Sequence, residues 1–218
     1  MFFETAKSIL LIVSALFPIV NPIGGSPVFF LLTQDYSKES RKLLARRVAI
    51  NSFILLIVSM VVGTHILSFF GISLPVVQVG GGLIVVSTGW AMLTRSDQVD
   101  RGQFPQAVTQ EDILRNAFYP LTLPLTVGPG SISIAITLGA NEPRHLGANV
   151  VALISAAIGA ALIAVTIYLC YGYSARLAAA GGPSGMNVIL RLSSFLLMCI
   201  GVQILWNGVS ALVKTLHA

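Results

Sequence analysis

The sequence predicts an all-α membrane protein with six transmembrane helices, arranged as two inverted repeats of three helices in which helices 1 and 4 are discontinuous. The first observation is composition: 55% of the 218 residues are hydrophobic, 10% are charged, and the mean hydropathy is +0.86. Soluble domains carry about 25% charged residues, so most of this surface cannot face water. The other two observations are a series of long apolar stretches and a helix interruption that occurs twice.

Six apolar segments are long enough for a membrane span, which needs about 20 residues. The polar connections between them are too short to form a soluble domain. The chain is therefore interpreted as one transmembrane domain, 1–218, with repeat one at 1–95, a cytoplasmic connection at 96–115 and repeat two at 116–218. The predicted spans are 6–33, 46–70, 74–94, 117–140, 147–172 and 187–213.

The basic residues predict the orientation of the spans. Ten of the 13 Lys and Arg residues fall in the connections after the first, third and fifth spans. Cytoplasmic connections of membrane proteins are enriched in Lys and Arg. These three connections are therefore expected in the cytoplasm and both termini outside, in the inner membrane of a prokaryote.

The two interrupted spans define an internal repeat. The first contains NPIGGSPVFF from Asn21 and the fourth contains GPGSISIAIT from Gly128, which gives an offset of 107 residues. The third and sixth spans align in the same order, with Gly89 on Gly201. Three spans per half is an odd number, so the second half must be inverted. Inverted repeats with paired interrupted helices are typical of secondary transporters, which bind substrate at the interruptions.

Each interruption leaves backbone groups unpaired, because proline lacks an N–H and glycine loosens the chain. Such groups persist at membrane depth only inside the protein or in a wet cavity, so the interruptions are expected to face each other. A new half-helix is expected after each, with Ser26 as N-cap before Pro27, and with Ser131 opening the second. Carbonyl groups are expected to be free near Val20 and Val127.

These features predict a substrate site built from both interruptions. The N–H groups after Gly25 and Gly130 suit a carboxylate, and the free carbonyls suit an ammonium group or a small cation. No Asp or Glu lies in the middle of a span, which disfavours a carboxylate proton relay and leaves coupling to Na⁺ or H⁺ open. The expected substrate-binding residues are Asn21, Pro22, Gly24, Gly25, Ser26, Thr126, Gly128, Pro129, Gly130 and Ser131.

Other features have structural interpretations. The glycine run 80–82 is expected to allow close helix packing, with a flexible point as the alternative. Gln203 and Asn207, four residues apart on one helical face, are expected to line the interior. Interfacial aromatic belts are expected at Trp90, Tyr119, Tyr171, Tyr173 and Trp206.

The sequence contains no enzyme signature, no metal-ligand cluster and no phosphate-binding loop. The chain is therefore expected to be no enzyme and to need no metal or cofactor. Its basic residues do not alternate with aromatic residues as in a nucleic-acid surface. The expected partners are a small-molecule substrate and membrane lipid, with a homo-oligomer left open.

The motifs resemble those of the MarC (UPF0056) integral membrane proteins, also classed as neutral amino acid transporters (the NAAT family) in the LysE-like superfamily. The segments NPIGGSPVFFLL, GISLPVVQVGGGLIVVSTGWAML, PLTLPLTVGPGSISIAITL and ILRLSSFLLMCIGVQILWNGV carry the resemblance over nearly the whole chain. It implies six spans and, for part of the family, transport of small neutral amino acids such as glycine and alanine. It also implies a site at Asn21, Pro22, Gly24 and Gly25 in one interruption and at Gly128, Pro129 and Gly130 in the other.

The leading hypothesis is a secondary transporter of small neutral amino acids that works by alternating access between its inverted halves. One alternative is an exporter of a different small metabolite or drug. The other is a non-transporting membrane scaffold or stress factor, which would show no stabilisation by ligands. The sequence leaves the exact substrate, the direction of transport and the oligomeric state open.

Overall fold

The computed structural model describes residues 2–94, 116–140 and 146–216, and the described residues form helices and no strand. The predicted cytoplasmic connection, 96–115, lies entirely outside the described residues. The helices are α1 Phe2–Val20, α2 Pro22–Leu32, α3 Lys38–Phe69, α4 Leu74–Thr94, α5 Ala117–Thr126, α6 Pro129–Ala140, α7 Leu146–Gly172 and α8 Ser174–Leu216.

Within the described residues, the apolar helices provide five or six candidate membrane spans. Five stretches are long and apolar enough to cross a membrane, and α5 with α6 makes a sixth if this bent pair is one span. The prediction of an all-α membrane protein is confirmed, whereas the arrangement as two inverted repeats with discontinuous helices stays a prediction. The five stretches are Thr5–Leu32, Lys38–Phe69, Leu74–Thr94, Val150–Gly172 and Asn187–Thr215.

A single residue, Asn21, separates α1 from α2. Its φ of 47° lies in the left-handed region, which asparagine adopts more readily than most residues. Its Oδ1 accepts a hydrogen bond from Gly24 N–H at 3.1 Å, so Asn21 is the N-cap of α2. The prediction of Ser26 as N-cap is wrong: Ser26 lies inside α2 and donates to the Cys170 carbonyl oxygen at 2.9 Å. Asn21-Pro22 supplies the favoured cap and proline pair earlier.

The α5 segment has wide turns. The hydroxyl groups of Thr122 and Thr126 each donate to the carbonyl oxygen five residues earlier, at 2.6 and 2.7 Å. Val127 N–H makes the same type of bond at 2.9 Å. Pro120 and Pro124 have no N–H to donate, so the regular series of backbone hydrogen bonds in α5 is incomplete. The threonine and Val127 bonds partly replace the missing ones.

The α6 helix begins at Pro129, and its axis makes an angle of 71° with α5. Its first hydrogen bond runs from Ile132 N–H to the Gly128 carbonyl oxygen at 3.1 Å. The prediction that Ser131 opens this helix is wrong by two residues, because the fixed φ of proline suits the first helical position.

Packing between helices runs mainly between the two halves of the chain. α1 and α2 pack against α7, and α2 also packs against α8; in the same way α5 and α6 pack against α3, and α6 also packs against α4. The remaining large contacts are α3 with α7 and α4 with α8. Exchanging α1–α4 for α5–α8 therefore maps these contacts onto one another. The core between the halves contains the fully buried side chains of Leu16, Phe29, Leu56, Leu121 and Ile163.

Glycine residues allow α4 and α8 to approach closely. A Cβ added at Gly89 would lie 2.8 Å from Met198 N, and one added at Gly201 would lie 2.6 Å from Val86 N. Gly89 and Gly201 are 112 positions apart in the sequence, and so are their contact residues Val86 and Met198. Backbone contact of this kind requires small residues at the interface.

The glycine run in α4 serves close packing at two of its three positions. An added Cβ would meet nothing within 4 Å at Gly80, would lie 2.5 Å from Ser133 Cβ at Gly81, and would lie 2.6 Å from Leu205 N at Gly82. The predicted role of the run in helix packing is confirmed for Gly81, against α6, and for Gly82, against α8.

A buried arginine closes the C-terminal end of α2. Arg41, near the start of α3, is only 7% exposed. Its Nε and Nη2 donate to the Thr33 carbonyl oxygen at 3.2 and 2.8 Å, and its guanidinium carbon lies 5.1 Å from the centre of the Phe30 ring. A cation at the negative end of a helix is favourable, so Arg41 joins the end of α2 to the start of α3.

Candidate functional site

A cavity of about 560 Å³ lies where the two helix junctions meet. The α1–α2 junction contributes residues 19–21 and 25, and the α5–α6 junction contributes residues 124–126 and 128–131. The opposite wall is the C-terminal part of α4, with Leu197 of α8. Two segments that are far apart in sequence therefore border one space.

Most of the predicted site residues line this cavity, and helix geometry explains the exceptions. The cavity face of α2 consists of Gly25, Val28 and Leu32, and successive helical residues turn by about 100°. Gly24 therefore packs toward α8 and Ser26 toward α7, while Pro22 is buried at the start of α2. The predicted residues that line the cavity are Asn21, Gly25, Thr126, Gly128, Pro129, Gly130 and Ser131.

The N-terminus of α6 supplies the cavity with hydrogen-bond donors. The N–H groups of Gly130 and Ser131 precede the first hydrogen bond of the helix, at its positive end. Ser131 is 2% exposed, and within the described residues its hydroxyl group has no hydrogen-bond partner. Because Ser131 lines the cavity, a ligand or water there is expected to bind this hydroxyl.

The N-terminus of α2 is closed by its own cap. Gly25 N–H donates to the Asn21 carbonyl oxygen at 2.9 Å, and Gly24 N–H donates to the Asn21 side chain. The N–H groups after Gly25 lie inside α2, so the prediction that they meet a carboxylate is wrong. This side of the cavity instead has Ile19 and Val20, whose carbonyl oxygens are among the last four of α1.

Tyr171 of α7 connects the two junctions. Its hydroxyl oxygen is 3.0 Å from Thr126 Oγ1, its ring stacks on Phe29 with centroids 4.5 Å apart, and a Cβ added at Gly25 would lie 2.6 Å from the hydroxyl. The prediction of an interfacial Tyr171 is wrong, because the side chain is fully buried. The sequence does carry a signal for burial. Ile163, Ile167 and Tyr171 are spaced four residues apart, which places them on one helical face. All three side chains are buried in the structure.

The α4 wall was not among the predicted site residues. Ile84, Thr88 and Ala91 recur at helical spacing and line the cavity together with Ser87. Thr88 donates to the Ile84 carbonyl oxygen at 2.8 Å. No charged side chain occurs among the described residues that line the cavity.

The Asn21 junction gives a testable prediction about stability. Asn21→Gly keeps the left-handed backbone accessible and loses only the side-chain cap, so we expect a loss of a few tenths of a kcal/mol. Asn21→Ala loses the cap, about 1 kcal/mol, and strains the left-handed residue, about 1–2 kcal/mol. Denaturant unfolding of both purified variants in detergent measures the difference. Equal losses in the two variants would contradict the left-handed cap.

Comparison with known proteins places the chain in a family. The model of the MarC family integral membrane proteins matches residues 6–213. The UPF0056 inner membrane protein MarC of Salmonella typhimurium (strain LT2) is 31% identical over 219 aligned positions, which cover 97% of this chain and 98% of that protein. The UPF0056 membrane protein YvbG of Bacillus subtilis is 31% identical over 206 positions, 93% of this chain and 94% of that protein.

An archaeal relative shows the same extent of similarity. The UPF0056 membrane protein of Archaeoglobus fulgidus is 30% identical over 200 positions, which cover 90% of each chain. No solved structure matches the chain. The family model and these relatives cover the helices, both junctions and the cavity described above, and the chain belongs to the MarC family of integral membrane proteins.

Proposed function

We propose that this protein is a secondary transporter of small neutral amino acids, such as glycine and alanine, and that the substrate binds in the cavity between the two helix junctions. The cavity itself carries the proposal, because two junctions 107 residues apart in sequence line one space. Paired interrupted helices around a central site are typical of secondary transporters.

The polar groups around the cavity favour a zwitterion. The N–H groups of Gly130 and Ser131 suit a carboxylate, and the Ser131 hydroxyl can donate a further hydrogen bond. The last carbonyls of α1, at Ile19 and Val20, suit an ammonium group. The neutral lining fits a substrate whose charges cancel.

The helix contacts support alternating access between inverted halves. The contacts of α1–α4 correspond to those of α5–α8, as an inverted repeat requires. Helices α2, α4 and α5 each contribute residues to the cavity lining, and they adjoin the basic segments 33–47 and 95–115. With these segments in the cytoplasm and both termini outside, the cavity opens toward the cytoplasm. The relatives named as inner membrane proteins support the same membrane for this chain.

The test is transport by purified protein in proteoliposomes. Ser131→Ala removes a hydroxyl that has no partner in the described residues, so we expect stability within about 0.5 kcal/mol of the parent. Loss of a hydrogen bond to a carboxylate is worth about 1.5–3 kcal/mol, so we expect the apparent affinity for labelled alanine to fall about tenfold or more. Flux measured with and without Na⁺ and at two pH values identifies the coupling ion.

Ser133→Ala is the matched control on the same helix. The Ser133 hydroxyl donates to the Val77 carbonyl oxygen at 3.0 Å and is not part of the cavity lining. This variant is expected to lose about 1 kcal/mol of stability and to keep the affinity for alanine. Equal affinity in the parent and Ser131→Ala would reject the site, and no amino acid flux in the parent would reject the function.

The volume of the cavity favours a second candidate, an exporter of another uncharged metabolite or drug. A cavity of about 560 Å³ falls in the range of about 300–1,000 Å³ that is usual for drug-sized ligands, and it exceeds what glycine or alanine would fill. Thermal shifts with a panel of amino acids and larger uncharged compounds separate the two candidates. Stabilisation by the larger compounds alone would favour the second.

A further inference from the structure

Two amide side chains lie on the outer surface of α8, although the sequence analysis predicts that they line the interior. Gln203 and Asn207 are both exposed, and Gln203 Nε2 donates to Asn207 Oδ1 at 2.9 Å. This bond uses one of the two N–H groups of Gln203. Within the described residues, Gln203 Oε1, its second N–H and the Asn207 N–H groups have no partner.

The depth of Gln203 makes this exposure unusual. The apolar stretch of α8 runs over Asn187–Thr215, and Gln203 is two residues, or about 3 Å, from its middle. The hydrocarbon layer is about 30 Å thick, so the amide lies far from either water interface. The exposed Thr166 hydroxyl donates to the Leu162 carbonyl oxygen of its own helix, but an amide has too many groups to satisfy in this way.

The amide belongs to a regular exposed stripe. Seven residues of α8 are separated by alternating steps of three and four, the spacing of the seam between two helices that cross at about 20°. All are exposed except Ser210, which is half-buried. A single polar residue within such an apolar seam fixes the register and the number of helices. The α8 seam consists of Ile189, Leu192, Leu196, Cys199, Gln203, Trp206 and Ser210.

We propose that the α8 seam is the interface with a second copy of this chain, in which the two α8 helices pack in parallel around a two-fold axis normal to the membrane. Such an axis brings the two Gln203 side chains together at the same depth. An amide carries both a donor and an acceptor, so Gln203 Oε1 of one copy accepts from Gln203 Nε2 of the other, and the reverse. This self-complementarity is what an isologous interface requires, and it selects a second copy over an unrelated helix.

A native cysteine allows a direct test. Cys199 lies on the α8 seam one turn before Gln203, so the two-fold axis places it opposite Cys199 of the second copy. Oxidation of native membranes with copper phenanthroline is expected to link the parent and Cys170→Ser into dimers, and to leave Cys199→Ser as monomers. Hydrogen bonds of this type between membrane helices change an association constant about 3- to 20-fold. Gln203→Leu is therefore expected to weaken dimerisation by that factor, measured by dilution in detergent with light scattering.

The double variant Val202→Gln/Gln203→Leu is the matched control, because it moves the amide about 100° around the helix and keeps the number of amide side chains unchanged. It is expected to dimerise as weakly as Gln203→Leu. Three outcomes would overturn the proposal: a monomeric parent by light scattering without a Cys199 crosslink, dimerisation of Gln203→Leu equal to the parent, or labelling of Cys199 by a membrane-impermeant thiol reagent. The last outcome would place the seam in an aqueous path.

Discussion

Tyr171→Ala is expected to lower the free energy of unfolding by about 3–5 kcal/mol, the range for truncating a large buried aromatic side chain. Tyr171 is fully buried and stacks on Phe29 of α2, and its hydroxyl oxygen is 3.0 Å from Thr126 Oγ1. The truncation leaves an empty space between α2, α5 and α7, so both junctions lose their common support. Denaturant unfolding in detergent measures the loss, and alanine flux is expected to fall with it.

Tyr171→Phe separates packing from hydrogen bonding. The ring and its stacking on Phe29 remain, and Thr126 keeps its bond to the Leu121 carbonyl oxygen at 2.7 Å. Only the bond between the two hydroxyl groups is lost, so the expected loss is about 1 kcal/mol. If Tyr171→Phe costs as much as Tyr171→Ala, the hydroxyl rather than the ring supports the junctions, and the packing explanation is wrong.

Gly82→Ala is expected to destabilise the protein by about 3 kcal/mol, at the upper end of the range for overpacking. The new Cβ would lie 2.6 Å from Leu205 N and 2.9 Å from the Gly201 carbonyl oxygen. Both are backbone atoms of α8, which cannot move aside as the end of a flexible side chain can. The α4 and α8 helices must therefore separate along their contact.

Gly80→Ala is the control within the same glycine run. An added Cβ at Gly80 meets nothing within 4 Å, and alanine favours a helix over glycine by about 1 kcal/mol. This variant is expected to be as stable as the parent or slightly more stable. Thermal unfolding of the two purified variants in the same detergent provides the comparison, and similar midpoints for both would contradict the close approach of α4 and α8.

Much of the fold could be predicted because its signals are local. Apolar length marks the helices, and proline with glycine marks the helix ends at Val20 and Thr126. The N-cap of α2 could not be chosen in this way, because Asn21-Pro22 and Ser26-Pro27 have the same local pattern. The bond from Ser26 to the Cys170 carbonyl oxygen of α7 exists only in the folded chain, and it accounts for Ser26 inside the helix.

Whether a side chain faces the interior or the surface was harder to predict than where the helices begin and end. Polarity placed Tyr171 at the surface and Gln203 in the interior, and the structure has the reverse. The reason is packing: α7 packs against α1, α2 and α3, whereas none of the described helices covers the face of α8 that carries Gln203. Seven of the ten predicted residues line the cavity, and the α4 wall was not predicted because its residues carry no local signal.

The contact between Arg41 and the end of α2 has a mechanical consequence. Two donor nitrogens of Arg41 hold the carbonyl oxygen of Thr33, so α2 and the first turns of α3 are expected to move as one rigid body. At its other end α2 is joined to α1 through one residue, Asn21. Rotation of α2 would therefore be concentrated at the backbone dihedrals of Asn21, which makes this residue the hinge about which one wall of the cavity turns.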